Sequence, residues 1–175
     1  PARSLCGSPR ERRGPARVDA SGARRNGGAA VSARRAASRA LGLALAADDL
    51  TDPAPAYIRG GVAAVLSDLA AAAIDTGLEI VTAETEGAER VRLAVIGMGK
   101  CGARELNYVS DVDVVYVWAP ADDADEPADD RELVGIATRL AQGAAESCAA
   151  AGPEPALWEV DAALRPEGRS GPLVR

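Results

Sequence analysis

Two stretches of the chain are short, β-branched and almost wholly apolar. Val91 to Gly97 reads Val-Arg-Leu-Ala-Val-Ile-Gly, and Val112 to Trp118 reads Val-Asp-Val-Val-Tyr-Val-Trp. Runs of this length and composition predict buried strands. A third strand is predicted from Leu157 to Leu164, across Trp158-Glu159-Val160-Asp161. Elsewhere the apolar positions follow the helical period. Ile58, Val62, Val65, Leu66, Leu69, Ala73, Thr76 and Ile80 recur at three- and four-residue steps and predict a long packing helix with no chemistry of its own. Gly60 and Gly61 weaken its start. Leu133, Ala137, Leu140, Ala144 and Cys148 mark an amphipathic helix closed by Gly152-Pro153. A shorter Ala/Leu helix is predicted from about Ser32 to Asp49, ended by Thr51-Asp52-Pro53-Ala54-Pro55.

Two segments carry no such period. Residues 1–33 are rich in Arg, Gly, Pro and Ala and are expected to be disordered. The acidic insert Ala121 to Glu132 does not match calcium-loop spacing and lacks the central Gly, so a solvated loop is expected. The chain thus divides into a disordered lead-in over 1–33, a helical segment over 34–89 and a domain over 90–175. It opens on Pro1 and stops just after the apolar run Pro172-Leu173-Val174, with no closing element, and reads as a fragment.

Composition narrows the chemistry. There is no histidine, which excludes a histidine triad, a histidine general base and a histidine-bound zinc. Cys6, Cys101 and Cys148 have no C-x-x-C spacing, so neither a zinc site nor a disulfide framework is expected, and a cytoplasmic setting fits. No apolar run approaches ~20 residues, so no membrane span or membrane partner is expected. The net charge of −6 is uneven: residues 1–40 carry +8 and residues 41–175 carry −14. A basic head of this kind suits a nucleic-acid arm or an Arg-rich targeting segment, but it has no aromatic residues to stack on bases. A plain disordered lead-in is the simpler reading, and no nucleic-acid partner is expected.

Gly97, Gly99 and Gly102 spell G-x-G-x-x-G directly after the first predicted strand. The pattern is the dinucleotide-binding fingerprint, yet the spacing denies it. Only eight residues separate Gly102 from Asp111, too few for the crossover that joins parallel strands. The acids also open the second strand, where a ribose-binding acid should close it. A phosphate loop of the Walker type fails as well, because Lys100 precedes Cys101 and not Ser or Thr.

The carboxylates offer another use for the turn. Alternate residues of a strand share a face, so Asp111 and Asp113 point the same way. Asp161 lies in the third predicted strand, where Trp158 and Val160 face the opposite side, into a core. Three acids on two strands make an oxygen-ligand set suited to magnesium. Taken alone, an Asp pair at a strand start also fits a turn or cap. The combination of glycine turn, Ser-Asp-x-Asp and a distant strand acid resembles the active-site plan of the polymerase-β-like nucleotidyltransferases.

The resemblance narrows further. Gly97-Met98-Gly99-Lys100-x-Gly102-x-x-Glu105-Leu106-Asn107-Tyr108-x-Ser110-Asp111-x-Asp113 is the first motif, and Val160-Asp161-x-x-Leu164-Arg165-Pro166-x-Gly168-x-Ser170-Gly171-Pro172-Leu173-Val174 the second. Together they resemble the glutamine synthetase adenylyltransferase/adenylyl-removing family, over roughly Ala36 to Arg175. Asn107 and the Ser-Gly-Pro-Leu-Val ending look more like that family's N-terminal, adenylyl-removing domain. Two positions depart from the family pattern: Cys101 stands where Leu is usual, and Ala163 stands where an Arg is usual. The resemblance implies an α+β fold, a small mixed sheet with helices as in a polymerase-β-like palm, preceded by further helices. It implies Mg2+ held by Asp111, Asp113 and Asp161, with Gly99, Lys100, Gly102, Ser110 and Arg165 on the phosphates and nucleotide; Arg169 is a weaker candidate. Glutamine synthetase would be the protein substrate, ATP, ADP and phosphate the small-molecule partners, and the PII signalling protein a regulatory partner. The expected reaction is phosphorolytic removal of AMP from adenylyl-tyrosine. The alternatives are adenylylation from ATP, a catalytically silent interaction domain, or a dinucleotide-binding module.

Overall fold

A computed structural model of the chain describes residues 20–51, 61–121, 129–149, 156–164 and 168–175. Strand β1 spans Val91–Gly97 and β2 spans Val112–Pro120. They pair antiparallel, with Gly97 opposite Val114 and Val91 opposite Pro120. An antiparallel pair needs no long crossover, so the short connection that counts against a dinucleotide fold in the sequence is here a tight return. Strand β3, Val160–Asp161, adds to the other side of β2 in parallel, giving a three-stranded mixed sheet in the order β1-β2-β3. With helices preceding and covering it, the architecture is α+β, as expected.

The third strand is much shorter than the predicted span 157–164. The Asp161 carboxylate accepts a hydrogen bond from the Ala163 amide at 2.7 Å, a local turn that competes with the ladder and ends the strand. Sheet pairing then resumes further along the chain. Val174 bridges Tyr116 in parallel, the Arg175 amide donates to the Tyr116 carbonyl, and the Trp118 amide donates to the Arg175 carbonyl. The apolar run that seems unclosed in the sequence therefore lies against β2.

Helix α1 spans Ala20–Thr51, α2 spans Gly61–Glu84, α3 spans Gly99–Ala103 and α4 spans Asp130–Ala149. Helix α1 begins twelve residues before the predicted Ser32, so the expectation of disorder over 1–33 is corrected from Ala20 onward; residues 1–19 lie outside the described residues. Ala and Arg are good helix formers, and nothing from Ala20 to Ser32 is a proline. Helix α4 likewise starts inside the predicted acidic loop, with Asp130 and Glu132 in its first turn, where carboxylates favour the helix dipole. Most of that insert, 122–128, is outside the described residues, as is Ile58 at the predicted start of α2.

The core forms where α2 and α4 cover one sheet face. From that face β2 contributes Val112, Val114 and Tyr116, each at most 1% exposed. Helix α4 adds Leu133, Ile136, Ala137 and Leu140. Full burial of each large aliphatic chain contributes about 1.5–3 kcal/mol. Two glycines set how closely the helices cross: a Cβ on Gly77 of α2 would strike Ser147, and one on Gly143 of α4 would strike Val81. The buried positions of α2 include Val62, Leu66, Ala70 and Ile74, with Ala63, Ser67, Thr76 and Gly77 beside them. Of the predicted stripe, Val62, Leu66 and Thr76 are buried, whereas Val65 is exposed and Leu69 only half-buried. Helix α2 packs against both α4 and α1, so its contacts are not confined to one stripe. Helix α2 is also long and apolar enough to cross a membrane by length and composition, a property that run-by-run inspection of the sequence does not show. Its core-facing side chains are engaged by the neighbouring elements.

Arg35 of α1 is 4% exposed. Its guanidinium donates to the Ser147 carbonyl at 2.7 and 3.0 Å and to the Glu146 carbonyl at 3.4 Å. A cation thereby satisfies carbonyls in the last turn of α4, which lacks a basic residue of its own there.

Candidate active site

The turn between β1 and β2 is shaped by its glycines. Gly99 opens α3 with φ +49°, in the left-handed region where other residues are strained. A Cβ at Gly99 would fall inside contact distance of the Asp113 carboxylate, so the missing side chain makes room for that acid. Gly102 has a different reason. A Cβ there would strike the Gly97 carbonyl, so α3 could not fold back on the end of β1. Backbone bonds fix the return: Met98 donates to the Asp113 carbonyl at 2.8 Å, and Gly102 donates to the Met98 carbonyl at 2.8 Å. Cys101, at 1% exposure, is a core side chain, and burial with the charges of Asp113 and Asp68 raises its thiol pKa.

Asp111 is exposed immediately before β2, Asp113 is half-buried in it, and Asp161 is half-buried in β3. The ladder register places Asp113 directly opposite Asp161, and Val112 opposite Val160. As expected from strand alternation, Val112, Val160 and Trp158 pack on the core while the acids take the other face. One carboxylate oxygen from each of Asp111, Asp113 and Asp161 lies within 4.8 Å of the other two. Burial, then the negative charges of Asp111 and Asp161, raise the Asp113 pKa, and the Lys100 ammonium works against them. Lys100 therefore acts electrostatically on Asp113 from the first turn of α3.

The donor set fits a hard cation. Octahedral magnesium with oxygens about 2.1 Å away puts adjacent ligands about 3.0 Å apart and opposite ones about 4.2 Å apart. The three acids need to close by little to reach that spacing, and a cation would relieve the mutual repulsion felt by Asp113. Ser110 is half-buried just before Asp111. Arg165 lies outside the described residues, and so does the side chain of Arg169.

Three residues near the site escape a sequence reading. Ser67 and Asp68 lie on α2, read from its period as a packing helix alone, and both contact the segment leaving α3. Arg104, the α3 C-cap, has φ +63° and pairs through both terminal nitrogens with the two Asp68 oxygens. The one available signal is polar Ser67 beside the apolar stripe. A cavity of about 210 Å³ lies elsewhere, between α1, α2 and the end of α4; Arg35, Leu69, Thr76 and Cys148 help line it, and none of the three acids does.

Known proteins resemble the chain over most of its length. The family model for glutamate-ammonia ligase adenylyltransferase matches residues 24–175. The bifunctional glutamine synthetase adenylyltransferase/adenylyl-removing enzyme of Cutibacterium acnes is 45% identical over 148 residues, covering 85% of this chain and 15% of that protein. The enzyme of the same description from Leifsonia xyli subsp. xyli is 49% identical over 141 residues, 75% of this chain and 14% of its own length. That from Streptomyces avermitilis is 50% identical over 149 residues, 83% and 14% respectively. The chain thus spans about one seventh of the length of these relatives. On the match over most of its length, the chain belongs to the glutamate-ammonia ligase adenylyltransferase family.

Proposed function

We propose that this chain carries the active site of an adenylyl-removing nucleotidyltransferase that acts on glutamine synthetase, in the cytoplasm. The observation that carries the reading is the convergence of Asp111, Asp113 and Asp161 beside the glycine turn. In this reading residues 34–89 support a nucleotidyltransferase domain over 90–175.

The substrate would be glutamine synthetase bearing AMP on a tyrosine. An oxygen of inorganic phosphate attacks the AMP phosphorus, the bond from phosphorus to the tyrosine oxygen breaks, and ADP leaves. The tyrosine oxygen departs as phenolate and takes a proton from water. Phosphate is already an anion and phenolate a fair leaving group, so a chain without histidine lacks nothing essential. Asp111, Asp113 and Asp161 would hold Mg2+, which supplies charge neutralisation at the phosphoryl oxygens. The chain's own work is positioning and electrostatics: Lys100, Arg165 and the amides of the Gly99–Gly102 turn, with Ser110, hold phosphate groups in line. ATP would be a substrate only if this site instead added AMP, with pyrophosphate as the leaving group, and the PII signalling protein would be a regulatory partner of the longer protein.

Asn107 and the Ser170-Gly171-Pro172-Leu173-Val174 ending support removal over addition of AMP. Product analysis tests this. The intact protein, given adenylylated glutamine synthetase and phosphate, should form ADP. Pyrophosphate from ATP with no ADP from phosphate would assign the opposite direction, and neither product would assign a silent interaction domain.

A further inference from the structure

The segment that leaves the glycine turn is anchored at two neighbouring positions of α2. The Leu106 amide donates to the Ser67 hydroxyl at 3.2 Å, and that hydroxyl donates to the Ala63 carbonyl at 2.9 Å. Ser67 and Leu106 are both almost fully buried, at 2% and 1% exposure. One residue along α2, Asp68 takes the Arg104 guanidinium in a two-pronged pair, with Nη2 to Oδ2 at 2.8 Å and Nη1 on Oδ1. Between these anchors α3 is closed by its own backbone, since Arg104 donates to the Cys101 carbonyl and Glu105 to the Lys100 carbonyl. Closing a helix this way demands a left-handed residue, a place usually given to glycine. Arg104 occupies it at φ +63° and so bears a cost of about 1–2 kcal/mol. Glycine there would remove that cost but also the only side chain that reaches Asp68 from this turn.

We propose that Ser67 and Asp68 form a clamp on α2, and that Asp68, Arg104 and Ser67 are positioning residues for nucleotidyl transfer. The clamp fixes the C-terminal end of α3. Helix α3 is five residues long, and its other end carries Lys100 and sets Gly99 against the Asp113 carboxylate. A displacement at Arg104 therefore reaches Lys100 and the Asp113 side within one helical turn. The acids themselves stand on strands and do not depend on the clamp. Both partners of the ion pair are more than half exposed, so the pair adds little to global stability. Its effect on the turn is separable from folding for that reason. The inference rests on the nucleotidyl-transfer reading above for its consequence, and on the geometry alone for the clamp.

The test uses the intact protein with Asp68→Asn, Arg104→Gln and Ser67→Ala, and the charge swap Asp68→Arg with Arg104→Asp, since Asp tolerates a left-handed backbone. Nucleotidyl transfer, Mn2+ affinity, thermal midpoint and hydrogen exchange over Gly99–Leu106 are measured together. A misplaced phosphate-binding turn is expected to lower kcat about tenfold in the single variants, with Mn2+ affinity unchanged and exchange over Gly99–Leu106 faster. Tm should hold in Asp68→Asn and Arg104→Gln, whose pair is exposed, and fall in Ser67→Ala, which leaves the buried Leu106 amide without its acceptor. The swap is expected to recover most of the kcat. Parental kcat and parental exchange in the single variants overturn the proposal. So does a kcat loss in Asp68→Asn or Arg104→Gln that tracks a loss of Tm and is not recovered by the swap. If the parent protein itself performs no nucleotidyl transfer, the functional reading fails; exchange then decides the clamp alone, faster in the variants if the clamp exists and unchanged if it does not.

Discussion

Asp113 of β2 and Asp161 of β3 stand directly opposite each other in a parallel ladder. Like charges at paired positions are destabilising by some tenths to about 1 kcal/mol, and burial beside Asp111 and Asp161 already raises the Asp113 pKa. Asp113→Asn should therefore leave the metal-free protein as stable as the parent or more so. Magnesium should raise the Tm of the parent and not that of the variant, by linkage of binding to the folded state. Scanning calorimetry with chelator and with magnesium checks both; a variant destabilised in chelator would contradict the repulsion.

The two turn glycines should fail in different ways. Gly99→Ala puts a methyl group against the Asp113 carboxylate on a left-handed backbone, so it should weaken metal-dependent activity strongly while costing about 1 kcal/mol of stability. Gly102→Ala meets backbone at Gly97, which has nowhere to move, so its main effect should be on folding, by about 1–3 kcal/mol. Denaturant unfolding of both variants separates the two outcomes.

Arg35→Met should cost about 1–3 kcal/mol by leaving carbonyls of the last turn of α4 without their charged donor. Arg35→Lys should recover only part of this, because a lysine cannot span both Glu146 and Ser147 as a planar fork does. Equal stability of all three proteins by urea unfolding would remove Arg35 from the packing account.

The Tyr116 hydroxyl is buried and has no hydrogen-bond partner among the described residues; burial pushes its pKa up to about 12. Removing it should relieve an unsatisfied polar group, so Tyr116→Phe is expected to gain about 1 kcal/mol. A Tm below that of the parent would mean that the hydroxyl is satisfied.

Local pattern carries much of this fold. The bounds of β1 are those predicted, and β2 overruns its prediction only at the end, because apolar β-branched runs leave a strand little choice. The acid face of β2 follows from alternation alone, and its convergence with Asp161 needs only the third strand to pair in parallel. What sequence does not carry is long-range. Arg35 lies in a helix that the sequence predicts, but its partner Ser147 is 112 residues away, so the bond itself is not legible. The clamp from Ser67 and Asp68 to Leu106 and Arg104 spans 39 and 36 residues, so no spacing rule finds it. The end of β3 depends on a side-chain-to-backbone bond from Asp161, a local competitor that apolar patterning ignores.

The acid trio is tested most directly by following ADP formation from phosphate and adenylylated glutamine synthetase, at fixed magnesium, in the intact protein and in its Asp111→Asn and Asp113→Asn variants. Loss of a metal-binding carboxylate removes several kcal/mol of transition-state stabilisation, so ADP formation should fall at least a hundredfold in each variant while both remain folded. ADP formed at the parental rate by either folded variant would show that these carboxylates do not hold the catalytic metal.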